Sequence, residues 1–401
     1  MNCFEAGIQH LHTLGHLGKG VRCAHLDTGL DGSHAALVGR VGEFRQVGYS
    51  GHAAVQAAPV DSGWHGTHTA ALIAGNRLSG GFCGAAPEAE LYAAAVIEEG
   101  HILARILTGM DWAVSRGVKV ACLSLGLDSA FPSLQSMVRA LTAADVLVVC
   151  PIGNRGAGQS MAPALWDEVL TVGACDATGR AMPFSGSHHD ELGGPPLKPD
   201  VTAPGHEVLS ALPDGGWGRR SGTSMASALV AGVAAVLRGA FPHHDTRGVR
   251  EALQRTASAL HPGQEHRSRA GMTDPSAAFD WLDKNPPSAD VRPRSALALI
   301  SPAPVVDLRL RRRLAECGAT HLCDAVLEFA TRPDGLEFCA ACGQADTHSP
   351  HLDVHRFIKM LDHCPIVICR LLRPEIELGL HSQGCVSACC PDAPPSFARS
   401  I

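Results

Sequence analysis

The sequence has neither a long basic run nor a long apolar run. Its 401 residues carry 33 Lys and Arg against 39 Asp and Glu, which gives a formal net charge of −6. The arginine cluster at 309–313 is too short to indicate a nucleic-acid-binding surface. No window reaches the roughly 18–20 consecutive apolar residues that a membrane-spanning helix needs. We therefore expect neither nucleic acid nor a membrane as a partner.

The N-terminus lacks the basic and apolar regions of a secretory signal peptide, because Gln9, His10 and His12 interrupt its apolar residues. We therefore expect a cytoplasmic protein, whose cysteines serve as thiols or metal ligands rather than in disulfides. The fifteen cysteines are unevenly spread, since six precede residue 180 and nine follow residue 316. This spread separates a Cys/His-rich C-terminal part from the rest of the chain.

Short apolar segments alternate with helical patterns in the first part of the chain. The apolar runs predict strands at 21–26, 91–96, 118–125, 146–150 and 168–173. Helical spacing or runs of small residues predict helices at 65–75, 102–115, 132–143 and 226–237. Strands that alternate with helices are typical of βαβ units. The predicted fold class is therefore α/β, a doubly wound parallel sheet followed by a small C-terminal Cys/His-rich domain.

Chemically reactive residue types stand where these elements end or begin. Asp27, Ser124–Gly126 and Asn154 follow predicted strands. His65 and Ser224 begin predicted helices. Because ligands of a parallel sheet bind at the carboxyl ends of its strands, we expect these positions to converge on one edge of the sheet.

The combination of an aspartate, a histidine and a serine suits acyl transfer. Ser224 would attack a carbonyl, His65 would take its proton and pass it to the leaving amine, and Asp27 would fix the imidazole tautomer. Asn154 would stabilise the oxyanion beside the Ser224 backbone N–H. Taken singly, each residue has an ordinary role as a helix cap or turn former, and only the combination favours catalysis.

Six segments follow one another in a characteristic order: Asp27–Gly29, His65–His68, Ser124–Gly126, Gly153–Asn154, Lys198–Gly205 and Gly222–Ala226. Together they resemble the subtilisin family of serine peptidases. The resemblance implies a serine endopeptidase that needs no cofactor for catalysis. It also implies that Asp27, His65 and Ser224 form the triad, with Asn154 as oxyanion donor. By the same resemblance, Ser124, Leu125, Gly126 and Gly153 bind an extended peptide substrate through the main chain.

Two further expectations follow from the resemblance. Arg155 would lie at the rim of the pocket for the residue before the cut, where a cation favours an acidic or polar substrate residue. The alternative is a solvated surface arginine. Many relatives bind calcium near residues 75–87, but this segment contains no Asp or Glu, and calcium sites usually include carboxylates. We therefore predict that this calcium site is absent.

From residue 305 on, the sequence shows no resemblance to a family that we recognise. The sequence predicts a peptidase domain at 1–284, a linker rich in Pro and Ser at 285–304 and an accessory domain at 305–401. Cys339 and Cys342 form a CxxC pair that would bind structural zinc together with Cys364 and Cys369, or with a histidine such as His351 or His355. Buried free thiols and a redox pair are the alternatives.

The sequence therefore predicts an intracellular serine endopeptidase whose substrate is a peptide or protein segment in extended form. Its accessory domain would recruit a substrate or protein partner, regulate the cleft or mediate assembly. The alternative function is a non-proteolytic or autoinhibited peptide-binding module on the same fold.

Overall fold

The computed structural model describes residues 2–287, except for 52–53, 99 and 190–196, together with strands β11 (Phe338–Cys339) and β12 (Gln344–Ala345). β11 and β12 pair in antiparallel fashion. The predicted linker from residue 288 onward and the predicted accessory domain, apart from these two strands, lie outside the described residues. Cys342, Cys364 and Cys369 also lie outside them.

A mostly parallel sheet of eight strands forms the centre of the fold. The strands are β1 (Arg22–Asp27), β2 (Val41–Val47), β3 (Ala54–Gln56), β4 (Glu90–Ala95), β5 (Val120–Cys122), β6 (Leu147–Pro151), β7 (Leu170–Cys175) and β8 (Val201–Pro204). Their order is β3-β2-β4-β1-β5-β6-β7-β8, and the pair β2–β3 is antiparallel. A separate hairpin consists of β9 (Val208–Leu212) and β10 (Gly216–Arg220).

Helices cover both faces of the sheet. They are α1 (Cys3–Thr13), α2 (His65–Ala74), α3 (Ile102–Ser115), α4 (Pro132–Ala143), α5 (Thr223–Ala240), α6 (Thr246–Arg255) and α7 (Pro275–Lys284). One apolar core contains residues of α1, α2, α5, α6 and α7, and the other contains residues of α3 and α4. Cys23 of β1 belongs to the first core and Ala24 to the second, because side chains alternate along a strand. The predicted doubly wound α/β class is confirmed.

The predicted bounds of α3 and α4 agree with the structure, whereas α1, α6 and α7 were not predicted. Each missed helix begins with a side-chain cap that the sequence displays. Asn2 Oδ1 accepts from the Glu5 N–H at 2.8 Å, and Asp245 and Asp274 cap α6 and α7 in the same way. β5 is shorter than predicted, although the Leu123 backbone N–H still donates to the Val149 carbonyl oxygen of β6 at 3.0 Å.

α5 is the one helix among the described residues that is long and apolar enough to cross a membrane. The sequence analysis expected no segment long and apolar enough to cross a membrane, and α5 corrects this expectation. Small and hydroxyl-bearing residues complete its apolar stretch. However, 83% of the helix is buried inside the fold, which is the situation of a core helix. Gly232 lets it pack closely, because a Cβ there would lie 2.6 Å from Ala85 Cβ and 2.8 Å from the Ile73 carbonyl oxygen.

Candidate active site

The predicted site residues come from three elements that meet at the carboxyl edge of the sheet. Asp27 ends β1, His65 begins α2 and Ser224 is the second residue of α5. α2 can start against the loop after β1 because residue 66 is glycine, and a Cβ there would overlap the Gly29 carbonyl group. The fold therefore delivers a carboxylate, an imidazole and a hydroxyl to one region.

The Asp27 carboxylate is fully buried and accepts hydrogen bonds on both oxygens. Oδ1 accepts from His65 Nδ1 and from the Thr28 backbone N–H, both at 2.7 Å, and Oδ2 accepts from the Thr69 hydroxyl at 3.1 Å. Burial acts to raise the pKa of Asp27, but His65 and the other donors outweigh it and lower that pKa. Asp27 is therefore an anion at neutral pH.

The His65 ring is oriented by its contact with Asp27. Because Nδ1 donates to the carboxylate, Nε2 carries the lone pair of the neutral ring. Burial acts to lower the pKa of His65, but the Asp27 charge, the hydrogen bond to it and the Asp61 charge outweigh burial and raise the pKa. The side chain is 26% exposed, so part of the ring is accessible to solvent.

Asp61 connects the two chain segments that carry Asp27 and His65. Its Oδ1 accepts from the Thr28 hydroxyl at 2.7 Å, and its Oδ2 accepts from the Thr67 backbone N–H at 2.7 Å. Asp61 therefore fixes the first turn of α2 to the loop after β1, which holds His65 in register with Asp27.

Ser224 lies in the first turn of α5, where unpaired N–H groups and the helix dipole favour negative charge. Its Oγ donates to the Ser124 carbonyl oxygen at 3.5 Å. Within the part of the chain that the structure describes, Ser224 Oγ makes no hydrogen bond with His65. Hydrogen bonds between nucleophile and base are often longer or poorly aligned before substrate binds.

Asn154 is oriented by Thr223, the residue before Ser224. Its Oδ1 accepts from the Thr223 backbone N–H and from the Thr223 hydroxyl, both at 2.9 Å. This arrangement assigns the acceptor end of the amide to Thr223 and leaves the Nδ2 donors for another partner. The side chain is exposed, so that partner can be a substrate oxygen.

The predicted substrate-binding residues Gly126 and Gly153 both lie against Met161. The sequence interpretation missed Met161. A Cβ added to Gly126 would lie 2.9 Å from Met161 Cβ, and one added to Gly153 would lie 3.0 Å from Met161 Cγ. Gly153 also has a φ of 107°, a conformation that glycine adopts readily. Met161 therefore packs against both segments. Nothing in the local sequence marks a lone methionine for this position.

Arg155 forms an ion pair with Asp128, at 2.6 Å between the guanidinium and the carboxylate. The two side chains are 54% and 67% exposed, and such pairs contribute about 0–1 kcal/mol. Asp128 offsets part of the charge with which Arg155 would attract an acidic substrate residue. This contact favours the alternative of a surface arginine.

A second imidazole, which the sequence interpretation also missed, lies behind Asp27. His25 Nε2 is 2.9 Å from the Thr69 hydroxyl and 3.7 Å from Asp27 Oδ2. His25 is fully buried, and burial, despite the opposing charge of Asp27, lowers its pKa. The sequence did contain a signal for this contact. His25 precedes Asp27 by two residues on a strand, and Thr69 follows His65 by four residues on a helix. These spacings place the two residues of each pair on one face of their element.

The described residues contain no group of three or more His, Cys, Asp and Glu side chains that could hold a metal ion. Around the segment predicted to lack calcium, the Asn76 side-chain amide donates to the carbonyl oxygens of Ala35 and Val38. The absence of that calcium site stays a prediction.

Comparison with known proteins supports the resemblance. A family model described as the subtilase family matches residues 18–274. M-protease of Shouchella clausii (strain KSM-K16) is 36% identical over 269 residues, which are 67% of this chain and 66% of that protein. Subtilisin Savinase of Lederbergia lenta is 35% identical over 269 residues, which are 67% of this chain and 93% of that protein.

A solved structure, that of the prenylagaramide maturation protease PagA, matches with a TM-score of 0.57 and 25% identity. The match covers 69% of this chain and 98% of that one. The fold and these relatives define the class of protein as a subtilisin-like serine endopeptidase, a hydrolase. The chain belongs to the subtilase family, so the predicted resemblance is confirmed.

Proposed function

We propose that this chain hydrolyses peptide bonds through Asp27, His65 and Ser224, with Asn154 as oxyanion donor. The observation that carries the proposal is the 2.7 Å hydrogen bond between the buried Asp27 carboxylate and His65 Nδ1, at the edge of the sheet where α5 presents Ser224. The family membership of the chain supports the same chemistry.

In the proposed reaction, Ser224 Oγ attacks the substrate carbonyl carbon while its proton passes to His65 Nε2. The C–N bond then breaks, and His65 returns that proton to the leaving amine. Water repeats the sequence on the acyl-enzyme, with His65 as base, and releases the carboxylic acid and free Ser224. Asp27 stabilises the imidazolium throughout, which accords with its lowered pKa.

The oxyanion that forms on attack requires donors aimed at its position. Asn154 Nδ2 and the Ser224 backbone N–H are the proposed donors. Thr223 supports this role, because its two hydrogen bonds to Asn154 Oδ1 leave the donor end of the amide available for a substrate oxygen.

The proposed substrate is an extended peptide that pairs with the main chain of Ser124–Gly126 and with Gly153. The solved relative is named a maturation protease, and this name supports cleavage of a precursor peptide by the present chain as well. Cleavage-site profiling on a mixture of peptides, with the full chain as enzyme, identifies the preferred sequence.

Labelling with a fluorophosphonate tests the proposal. Ser224 should react in the native protein, and His65→Ala should abolish the reaction because the serine loses its base. If Ser224 does not react and no peptide is cleaved, the alternative of a non-proteolytic or autoinhibited peptide-binding module is correct instead.

For the C-terminal part, we propose a linker at 285–304 and an accessory domain at 305–401 that recruits substrate, regulates the cleft or mediates assembly. We also propose that Cys339, Cys342, Cys364 and Cys369 bind structural zinc. β11 ends at Cys339 and pairs in antiparallel fashion with β12, which begins at Gln344 soon after the CxxC segment in the sequence, and this supports the proposal. Less than one zinc per folded full-length chain, measured by elemental analysis, would contradict it.

We further propose a cytoplasmic location. The six cysteines before residue 180 are all free thiols, as expected in a reducing compartment. Cell fractionation with an antibody against the chain tests this proposal.

A further inference from the structure

Trp64 and Arg220 form a stacked pair beside His65. The guanidinium carbon of Arg220 lies 4.7 Å from the centroid of the Trp64 ring. The same ring meets the His65 imidazole edge-on, with 5.6 Å between centroids and 62° between planes. Trp64 is 39% exposed, so this pair presents an aromatic surface and a cation to solvent next to the proposed general base.

The described residues do not neutralise the charge of Arg220. Within that part of the chain its guanidinium takes part in no ion pair, and its Nη1 donates to the Arg219 carbonyl oxygen at 3.0 Å. Stacking on an aromatic ring fixes the plane of a guanidinium but leaves its remaining edge donors available. Such donors match the geometry of a carboxylate.

Trp64 and Arg220 lie on the side of His65 where we expect the part of the substrate after the scissile bond. Since Asp27 occupies His65 Nδ1, the proton for the leaving amine must come from Nε2, and the leaving group therefore departs past the His65 ring. Trp64 immediately precedes His65. The acyl half of the substrate is assigned to Ser124–Gly126 and Gly153, on other segments of the chain.

We propose that Trp64 and Arg220 form a subsite that selects an acidic side chain, Asp or Glu, in the first two residues after the cut. Its carboxylate would bind the Arg220 guanidinium, and its methylene groups would contact Trp64. This inference rests on the proposed peptidase function. Arg155 is less suited to such a role, because Asp128 already occupies its guanidinium.

The test compares two internally quenched peptides with the full-length protein. Their acyl halves are identical and come from the cleavage-site profile, and they carry Glu-Glu or Gln-Gln directly after the cut. We expect kcat/KM to be about three- to tenfold higher for the Glu-Glu peptide, the range of one partly exposed charge-assisted contact. The ratio should decrease as salt is added, because counterions screen the contact.

Three variants identify the source of the preference. Arg220→Gln should bring the ratio close to one. Arg219→Gln is the matched control, since Arg219 is the neighbouring exposed arginine, points to the other face of β10 and donates to the Glu207 carbonyl oxygen. It should keep the wild-type ratio. The fluorophosphonate labelling rate of each variant verifies that its site is folded, and Arg220→Lys, which keeps the charge, should give an intermediate ratio.

The subsite proposal is wrong if the wild-type ratio is near one, or if the preference persists in Arg220→Gln. In that case, cleavage and Ser224 labelling still support the peptidase proposal. If neither cleavage nor labelling occurs, the proposed function fails and the subsite fails with it.

Discussion

At the scale of single residues, the protonation of His65 controls the proposed activity. The neutral ring is the base. Burial acts to lower the pKa of His65, but the charge of Asp27, the hydrogen bond to it and the charge of Asp61 raise that pKa above the usual value of about 6.5. The rate should therefore fall as pH decreases through this raised pKa. We expect the acid limb of kcat/KM against pH to have its midpoint above about 6.5. A midpoint at or below that value contradicts the arrangement.

The hydroxyl of Thr69 is expected to position Asp27. In Thr69→Val, Oδ2 of Asp27 loses its donor, so kcat should fall about two- to tenfold, the equivalent of one hydrogen bond. The less satisfied carboxylate should also raise the pKa of His65 further and shift the acid limb upward. Thr69→Ser keeps the hydroxyl and should restore both values. Equal pH profiles for the Val and Ser variants would show that Thr69 has only a packing role.

Asn154 provides a test of the oxyanion assignment. Asn154→Ala should lower kcat by about 10²–10³-fold with little change in KM, which is the loss known for an oxyanion-hole donor of subtilisin. Thr223→Val removes one of the two bonds that orient the amide and should cause a smaller loss of kcat. Steady-state kinetics on one peptide provide both values. A change confined to KM in Asn154→Ala would assign the residue to ground-state binding.

At the scale of elements, α5 fits against its neighbours because it carries glycine at 232. Gly232→Val would bring side-chain atoms against Ala85 and the Ile73 carbonyl group, so we expect a loss of about 1–3 kcal/mol in the free energy of unfolding. Gly239→Ala in the same helix is the milder comparison, because the nearest atom to a Cβ there would be Val21 Cγ2 at 3.3 Å and alanine favours the helix. Urea denaturation measures both. Equal stability of Gly232→Val and wild type would contradict the close packing.

The helices and strands also show which sequence patterns were sufficient to predict them. α3 and α4 were predicted with correct bounds because their apolar spacing is regular, and α4 starts with Pro132, which suits the first turn of a helix. α6 and α7 were missed because their apolar stripes are narrow, although Asp245 and Asp274 are legible as caps. The hairpin β9–β10 was missed because its strands are short and partly exposed.

At the scale of the whole molecule, the residues that the structure describes form two large apolar cores, and both lie before residue 288. We therefore expect a fragment of residues 1–287 to fold and its Ser224 to react with a fluorophosphonate, because a domain with its own hydrophobic core can fold alone. The same fragment with His65→Ala should not react. Aggregation or a missing cooperative unfolding transition would show that the C-terminal part belongs to the folding unit. Comparing the cleavage profiles of fragment and full chain then reveals what residues 288–401 contribute.

The sequence by itself determined the alternation of strands and helices, the fold class and the positions of Asp27, His65, Ser224 and Asn154, because these depend on short-range periodicity and on local motifs. Only the tertiary structure decided which distant side chains meet. Thr69 reaches Asp27 with His25 behind it, Met161 lies against Gly126 and Gly153, and Arg220 stacks on Trp64. Such contacts depend on how whole helices and strands pack against each other, and no pattern within a single segment encodes that packing.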